Sequence, residues 1–523
     1  MRFELGRWSF WAAALLLLVR CHPESSEPGI TLLIESPADS LDDRLALSAN
    51  GQRLAQLIAP GLITFDDQGE PVSELAQSYR QLDPLTLEFT LREGLRFHDG
   101  TALTSLDVKA MFDALLERSF SSPKADKFDA ILGIEAPDPR TILFHLKRPY
   151  TPILAELTVG IVPRQRARGP SAALQDEAPV GAGPFRFSSR QGDDQLELLA
   201  FPGYYQGKPR IPRLLVRVVR DETARVLELL KGRADLVLGN ISPAVLPAVQ
   251  RNPSLRILTR PGTGYSYVGF NLRGPPFSDV RVRRALCKAL DIPLIAKAKF
   301  HGLAVTATGM LPRTHWAYSA TSGCQRDVSE AATLLSEAGY ITAQSRELDA
   351  SSSPAKPPLR FTLKTSSDRL RKSVALIIKE QLGQLGVEVE LRALEFGTFF
   401  NDVRKGNFDA VTLKWVPVIE PDLMRYAFSS HNIPTVENQF SGLNRGGYVN
   451  AQLDALLERA AGVDRAQRLA LYQKAQETLD RDLPYLPLWH EDTVAVVSSR
   501  LRDFQPSAQG FLKPLASARE VNP

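Results

Sequence analysis

Residues 91–108 read LREGLRFHDGTALTSLDV, and this stretch predicts a strand, a turn and a capped helix in immediate succession. Asp99-Gly100 is a turn dipeptide that ends the alternating run before it. Thr104 is a typical N-cap residue, and Asp107 follows three positions later, as in a capping box. The apolar residues behind the cap share one helical face: Val108, Met111, Phe112, Leu115 and Leu116. His98-Asp99 could also suggest a metal site or a catalytic pair, but the turn is the favoured interpretation.

Strands alternate with helices along the rest of the chain, which predicts an α/β fold. We expect strands at 30–34, 85–91, 141–146, 214–219, 234–238, 267–272, 360–364, 387–391 and 408–415. We expect helices at 52–63, 222–231, 282–290, 372–385 and 464–481. Gly232 and Gly386 follow two of these helices directly, as glycine often does at a helix C-terminus. The polar segment 341–358 is rich in Ser, Ala and Pro and predicts an exposed insertion.

The composition is that of a globular protein with more than one domain. The chain has 523 residues, which is too long for one ordinary core and predicts two or three domains. Hydrophobic residues make up 44% and charged residues 23%, so neither a disordered chain nor a membrane bundle is indicated. The net charge of +4 is small for this length and argues against a nucleic-acid-binding protein.

The N-terminus predicts export. Arg2 and Arg7 precede an apolar run from Trp8 to Val19, which is short for a bilayer span and typical of a secretory signal peptide over residues 1–21. The residues that end it, Leu-Val-Arg-Cys, resemble a lipobox in which Cys21 would be lipidated. Arg20 departs from that pattern, since a small residue normally precedes the cysteine. An uncleaved anchor or cleavage at another site remains open.

Two further cysteines could form a disulfide, and the sequence lacks the common motifs of hydrolases and ATPases. Cys287 and Cys324 could pair in an oxidising compartment, but sequence does not supply the geometry of a bridge. The chain contains no Gly-x-Ser-x-Gly elbow and no His-Glu-x-x-His pair, so a hydrolase is a minor alternative. It also contains no phosphate-binding Gly-x-x-x-x-Gly-Lys-Ser/Thr, so any transport energy must come from another protein. We expect no catalytic residues, no metal and no cofactor.

Several motifs in the right order resemble the family 5 extracellular solute-binding proteins, the dipeptide- and oligopeptide-binding group that serves ABC importers. Besides residues 91–108, the similar segments are 61–76, 180–185, 270–291, 331–340, 447–457 and 483–488. The resemblance covers nearly the whole mature chain. It implies an α/β, two-lobed periplasmic-binding-protein (clamshell) fold with an extra small domain on the first lobe. It also implies a division into a first lobe at 22–48, 177–262 and 486–523, the extra domain at 49–176 and the second lobe at 263–485.

The resemblance also implies a ligand site between the lobes. The candidates from the first lobe are Pro37, Ala38, Asp39 and Gly183. The candidates from the second lobe are Tyr265, Tyr267, Asn271, Trp415, Val416 and Val418. For the aromatic residues a place in the core is about as good an interpretation, since Tyr265 and Tyr267 share one strand face.

One departure weakens the family's usual ligand. Peptide-binding members carry an Asp three residues after the tryptophan, where it neutralises the peptide's ammonium, and here that position is Val418. A buried ammonium without a partner is costly, and Glu420 could substitute only along a different backbone path. A free peptide, a blocked peptide, a sugar derivative, a metal chelate and other polar solutes therefore remain open.

The resemblance predicts a monomeric, non-enzymatic binding subunit. Its partners would be a small solute and the permease and ATPase subunits of an ABC importer, with a lipid anchor on the membrane if Cys21 is modified. It would lie in the periplasm or face the cell exterior and would not bind nucleic acid. An exported sensor or a peptide chaperone with the same fold is the alternative.

Overall fold

The predicted strand, turn and helix are present where the sequence indicated them. The computed structural model describes residues 28–117, 120, 122–168, 178–343 and 357–521. The strand ends at Leu91 and the helix begins at Ser105, with Thr104 and Asp107 forming the capping box. The Asp107 carboxylate accepts hydrogen bonds from the Thr104 backbone N and hydroxyl, both at 2.9 Å. His98-Asp99-Gly100 is a turn, and Gly100 has a φ of 88°.

The strands and helices of the described residues alternate as expected for an α/β protein. The strands are β1 (Ile30–Ile34), β2 (Ile63–Phe65), β3 (Pro71–Ser73), β4 (Ala76–Asp83), β5 (Thr86–Leu91), β6 (Ile131–Glu135), β7 (Thr141–Leu146), β8 (Phe185–Gln191), β9 (Gln195–Ala200), β10 (Arg213–Val218), β11 (Leu236–Leu238), β12 (Leu255–Phe270), β13 (Ala304–Thr306), β14 (Arg360–Ser366), β15 (Glu388–Leu394), β16 (Ala410–Trp415), β17 (Tyr485–Ser498), β18 (Leu501–Arg502) and β19 (Arg519–Glu520). The α-helices are α1 (Ala49–Ile58), α2 (Ser105–Leu116), α3 (Ile153–Glu156), α4 (Glu222–Leu230), α5 (Leu246–Gln250), α6 (Val280–Ala289), α7 (Ile292–Phe300), α8 (Val328–Glu337), α9 (Arg369–Gln384), α10 (Phe396–Lys405), α11 (Leu423–Phe428), α12 (Ala451–Ala461) and α13 (Arg465–Asp482).

One large sheet runs through both halves of the molecule. Its strand order is β15-β14-β16-β12-β17-β11-β1-β10-β9-β8, with β13 added beside β17. We call the half with β1 and β8–β11 the first lobe and the half with β14–β16 the second lobe. The long antiparallel strands β12 and β17 belong to both, and their pairing is interrupted between Arg260 and Gly264. The fold is therefore two-lobed, with these two strands as the connection.

A separate four-stranded sheet, β4-β5-β7-β6, forms a small domain with α2. Alternation along β5 and β7 buries Leu87 and Phe89 on one strand and Ile142 and Phe144 on the other. The apolar face of α2 covers them, and the Phe112 ring meets Phe144 edge-on at 5.0 Å. Residues 91–108, which end β5 and begin α2, thus connect the two elements that form the core of this domain.

The β-α-β unit is confirmed. β1 lies between β10 and β11 and runs parallel to both, and α4 makes the crossover between β10 and β11. Asp221 caps α4 by accepting a hydrogen bond from Ala224 N at 2.8 Å. Gly232 and Gly386, predicted as helix terminators, have φ values of 68° and 91°, a conformation that glycine adopts without strain.

Two predicted boundaries were wrong. The helix expected at 52–63 ends at Ile58, because Pro60 follows and residues 63–65 pair with β3 instead. The strand expected at 267–272 begins twelve positions earlier, at Leu255. Pro261 and Gly262 lie where the pairing of β12 with β17 is interrupted, and the strand continues on both sides of them. The predicted signal peptide, Cys21 and residues 344–356 of the predicted insertion lie outside the described residues.

Cys287 of α6 and Cys324 are joined in a disulfide, with their Cα atoms 5.1 Å apart. It closes a loop over a separation of 37 residues, which includes α7 and β13. Cys287 packs in the core of the second lobe with Phe277 and Leu286.

We expect replacement of both cysteines by serine to lower the free energy of unfolding by about 2–4 kcal/mol, because the cross-link restricts the unfolded chain. Urea unfolding of the oxidised wild type and of the double variant measures this. A reductant should destabilise the wild type and leave the double variant unchanged. Equal stability of the two proteins would contradict the bridge.

Candidate functional site

The candidate site lies where the carboxyl ends of the parallel strands of the two lobes are brought together. In open α/β sheets, ligands bind outside the carboxyl ends of the strands. In the first lobe β1 ends at Ile34, and in the second lobe β16 ends at Trp415. The segment that follows Trp415 contacts the small domain, so this edge faces the rest of the molecule across the interlobe boundary.

Three contacts show how closely the second lobe approaches the small domain. The Tyr150 hydroxyl accepts a hydrogen bond from Arg425 Nη2 at 3.0 Å and lies 3.4 Å from the Asp422 carboxylate. Thr151 N donates to the Ala461 carbonyl at 2.8 Å. Arg465 forms an ion pair with Glu70. The second lobe is therefore in contact with the small domain, and with Glu70 just before β3, in this structure.

A cavity of about 90 Å³ lies at this boundary. It is lined by residues 56–158, among them Gln56, Thr64 and Glu74, by Phe511 and Lys513 near the C-terminus, and by Ile419 of the second lobe. That volume is below the roughly 300–1,000 Å³ of ordinary small-molecule sites.

Trp415 is half-buried at the end of β16, opposite Tyr265 of β12. Its indole Nε1 is buried and makes no well-formed hydrogen bond, although the Tyr485 hydroxyl is close by. Trp415 is therefore partly in the core of the second lobe and partly at its exposed edge.

Tyr265 and Tyr267 belong to the core. Both are 2% exposed, and their rings stack with centroids 5.5 Å apart. Tyr267 also stacks on Tyr485 at 4.0 Å. Burial raises the pKa of both phenols well above the usual value. One buried strand face explains this pair.

Val416 and Val418 differ in exposure. Val416 is half-exposed, whereas Val418 is fully buried among the apolar residues of the second lobe. A cis peptide bond joins Val416 to Pro417. The position at which peptide-binding relatives are expected to carry an Asp is thus filled by a core side chain.

Glu420 does not take over the role of that Asp in this structure. Its carboxylate forms an ion pair with Arg468, and the side chains are 18% and 5% exposed. Burial raises the pKa of Glu420, although the Arg468 charge opposes this. Glu420, the first acidic residue after Trp415, is therefore paired with Arg468 of the same lobe.

The candidates from the first lobe are engaged with the backbone. The Asp39 carboxylate accepts from the backbone N of Ser40, Leu47 and Ser48 and from the Ser48 hydroxyl, at 2.6–3.0 Å. Partial burial raises the pKa of Asp39, but these hydrogen bonds outweigh it and hold the pKa below its usual value. Pro37 and Ala38 are half-buried beside it. Asp39 thus fixes the turn that leads into α1.

Gly183 is buried against the end of α1. Its N donates to the Ile58 carbonyl at 2.8 Å, and a Cβ here would lie 2.2 Å from the Leu57 carbonyl oxygen. Its own carbonyl accepts from His98 Nε2 at 3.1 Å. Only glycine fits this approach, so Gly183 links the opening turn to the first lobe.

Asn271 is also occupied locally. Its amide donates to the carbonyls of Gly406 and Phe408 at 3.1 and 3.0 Å. Its Oδ1 accepts from the backbone N of Arg273 at 3.3 Å. These contacts hold the end of β12 to the turn before β16.

Sequence reasoning missed Arg445 and the aromatic residues around it. The Arg445 guanidinium lies over the rings of Phe400 and Trp415, at 4.9 and 5.4 Å from their centroids. Phe396 stacks on Phe400 and is 54% exposed. The only signal in the sequence is the cluster of Phe residues at 396–400. Arg445 itself lies in a loop and carries no periodic or motif signal.

A larger surface groove of about 750 Å³ lies entirely in the second lobe, at the far end of β12. Arg273, Arg283 and Arg284 line it, and each donates to backbone carbonyls. Because one lobe supplies all of its lining, closure would not alter it. Within the described residues no cluster of His, Cys, Asp or Glu could hold a metal ion. No helix of the described part is long and apolar enough to cross a membrane.

Comparison with known proteins finds one matching family model, similar proteins and similar solved structures. Residues 70–434 match the family "Bacterial extracellular solute-binding proteins, family 5 Middle". Heme-binding protein A of Haemophilus influenzae is 26% identical over 96% of both chains. The glutathione-binding protein GsiB of Escherichia coli strain K12 is 27% identical over 91% of both. The crystal structure of NikZ from Campylobacter jejuni in complex with Ni(L-His) superposes with a TM-score of 0.81 and 24% identity, over 94% of this chain and 99% of that one.

Proposed function

Because the chain belongs to the bacterial extracellular solute-binding proteins of family 5, we propose that it is the substrate-binding subunit of an ABC importer. It captures a peptide or a peptide-like polar solute between its two lobes and delivers it unchanged to a separate permease. A separate ATPase supplies the energy. It acts in the periplasm or at the cell exterior as a monomer, anchored by a lipid if Cys21 is modified.

The connection between the lobes is the observation that carries this proposal. β12 and β17 join the lobes, and their pairing is interrupted between Arg260 and Gly264. A second irregularity follows between Ser266 and Tyr267. Loss of regular pairing in this short stretch lets two rigid bodies rotate there. The proposed first lobe comprises 22–48, 177–262 and 486–523, the extra domain 49–176 and the second lobe 263–485.

Closure is the step that the solute controls. The contacts of Tyr150 with Arg425 and of Glu70 with Arg465 cross the boundary and exist only while the lobes touch. A solute shifts the equilibrium towards this state only by making contacts with both lobes. Two relatives bind heme and glutathione by their names, which supports a solute class wider than one fixed peptide.

The test is calorimetric titration with a panel of di- and tripeptides, glutathione and N-acetylated peptides, followed by chromatography of each mixture. Saturable binding of at least one compound, recovered unchanged, is the expected result. Conversion of a bound compound into a product would show an enzyme and contradict the proposal.

We expect Trp415→Ala to weaken solute binding tenfold or more without unfolding the protein, because the exposed part of the indole lies at the proposed site. Trp415→Phe keeps an aromatic face and should lose less than threefold. Titration with the same solute, together with thermal unfolding of both variants, measures this. Unchanged affinity in Trp415→Ala would assign the residue to the core alone.

A further inference from the structure

A patch of aromatic and apolar side chains surrounds one arginine at the carboxyl edge of the second lobe. We call Phe396, Phe400, Trp415, Val416 and Arg445 the Arg445 platform. Phe396 begins α10 directly after β15, and Trp415 and Val416 end β16. β15 and β16 both run parallel to β14, so their carboxyl ends lie at the same edge. This is the edge at which ligands bind in such sheets.

The platform is held together by ring contacts and remains partly exposed. The rings of Phe396 and Phe400 stack with centroids 5.7 Å apart. The Arg445 guanidinium covers Phe400 and Trp415, a geometry that fixes its plane. Phe396 is 54% and Val416 50% exposed, so apolar surface is available around the charge.

Within the described part of the chain, the positive charge of Arg445 has no partner of opposite sign. Among the described residues it forms no ion pair, and its Nε is buried without a hydrogen-bond partner. Three acids of the second-lobe sheet and of the segment after Trp415 are engaged with other cations: Glu420 with Arg468, Asp422 with Arg425 and Glu491 with Lys414. A guanidinium that is stacked in place and unpaired is suited to a carboxylate, which it can bind with two parallel hydrogen bonds.

The first lobe presents a second such cation. Arg53 precedes Gln56 by three residues on α1, so both share one helix face, and Gln56 lines the interlobe cavity. The Arg53 guanidinium packs against Gly510, and in the described structure it forms no ion pair. Glu35 is the charged group that acts on it, without direct contact. The first lobe therefore carries a second cation on the helix face that reaches the cavity.

We propose that the site takes a solute that carries a carboxylate beside an aromatic or other apolar group, and that it needs no free ammonium. Arg445 binds the carboxylate, and the rings of the Arg445 platform take the apolar group. This rests on the proposed function and names its solute class. It also accounts for Val418, because such a solute brings no ammonium for an Asp to neutralise.

Three probes separate the charges: N-acetyl-Phe-Leu, its C-terminal amide, and Phe-Leu with a free amino group. We expect N-acetyl-Phe-Leu to bind at least as tightly as Phe-Leu and at least tenfold more tightly than its amide. Arg445→Gln should weaken binding of N-acetyl-Phe-Leu at least tenfold and leave the affinity for its amide unchanged. Arg445→Lys should bind N-acetyl-Phe-Leu with an affinity between those of the wild type and Arg445→Gln. Arg502→Gln, an exposed arginine of β18, is the matched control and should bind all three as the wild type does.

Tighter binding of Phe-Leu than of its acetylated form by tenfold, equal binding of acid and amide, or no binding of any probe would overturn the inference. Thermal unfolding of Arg445→Gln and Arg445→Lys shows that the variants are folded. The two proposals fail differently. A retained solute that is cationic and lacks a carboxylate would leave the binding function standing and contradict the solute class, whereas a protein that binds no solute at all would contradict both.

Discussion

Arg468→Met is expected to lower the free energy of unfolding by about 3–5 kcal/mol, because it leaves the Glu420 carboxylate buried without its partner. Arg468 is 5% exposed, pairs with Glu420 and donates to the Tyr472 hydroxyl at 3.2 Å. Its guanidinium also covers the Trp316 ring at 5.5 Å. The pair anchors the segment from Val416 to Asp422, so solute binding should weaken as well. Urea unfolding at pH 7 measures the loss.

The double variant Arg468→Met/Glu420→Gln is the control. Removing the charge from both residues should restore more than half of the lost stability, because no unpaired ion remains. The destabilisation of the single variant should also shrink as the pH falls, because burial raises the pKa of Glu420 and a protonated carboxyl needs no cationic partner. A loss below 1 kcal/mol in the single variant at pH 7 would contradict the buried pair.

The second large effect is a fall in stability as the pH drops from 6.5 to about 4. Burial lowers the pKa of His98, His315 and His490 to about 4 each. The unfolded chain takes up these protons near pH 6.5 and the folded protein does not. Stability is therefore complete above pH 6.5 and is lost as the pH falls, by about 1.4 kcal/mol per pH unit for each histidine.

The hydrogen bonds explain why two of these rings stay neutral. His315 Nδ1 accepts from Ala317 N at 3.0 Å, and Nε2 lies 2.7 Å from the Ile419 carbonyl. His98 has the same arrangement, with Gly181 N at 3.4 Å from Nδ1 and the Gly183 carbonyl at 3.1 Å from Nε2. A proton on Nδ1 would face an N–H donor in both cases.

The measurement is urea unfolding at pH 4.5, 5.5, 6.5 and 7.5 for the wild type and for His315→Gln. In the variant, the free energy of unfolding should change less steeply with pH between pH 4.5 and 6.5, because one proton fewer is taken up on unfolding. His301→Gln replaces an exposed histidine at the end of α7 and should retain the wild-type slope. Identical slopes in wild type and His315→Gln would contradict the buried neutral ring.

Local signals in the sequence predicted local structure well. α2 begins after the predicted cap Thr104, because hydrogen bonds between the capping residues and the first backbone N–H groups of a helix fix where it starts. β12 was predicted too short, because Pro261 and the glycines after it are ordinary loop residues. They remain within the strand only because β17 pairs on both sides of them, and that pairing partner lies more than 200 residues away.

The candidate site was harder to predict, since neighbours from distant elements decide each role. The sequence could state that Tyr265 and Tyr267 share a face, but the stacking of Tyr267 on Tyr485 depends on β17. Trp415, which ends β16, was a candidate because of the family resemblance. Arg445 gave no signal because Phe400 and Trp415, which define its surroundings, are 45 and 30 positions away.

Native mass spectrometry of the purified, unmodified protein tests the central claim most directly. We expect a fraction of molecules to carry one added mass that disappears on denaturation, and the released compound to be recovered with the mass of the solute supplied. Only the unaltered capture of one solute per molecule gives that result. A protein that never carries an added mass in the presence of peptide mixtures, or a released compound of different mass from the one supplied, would contradict the account.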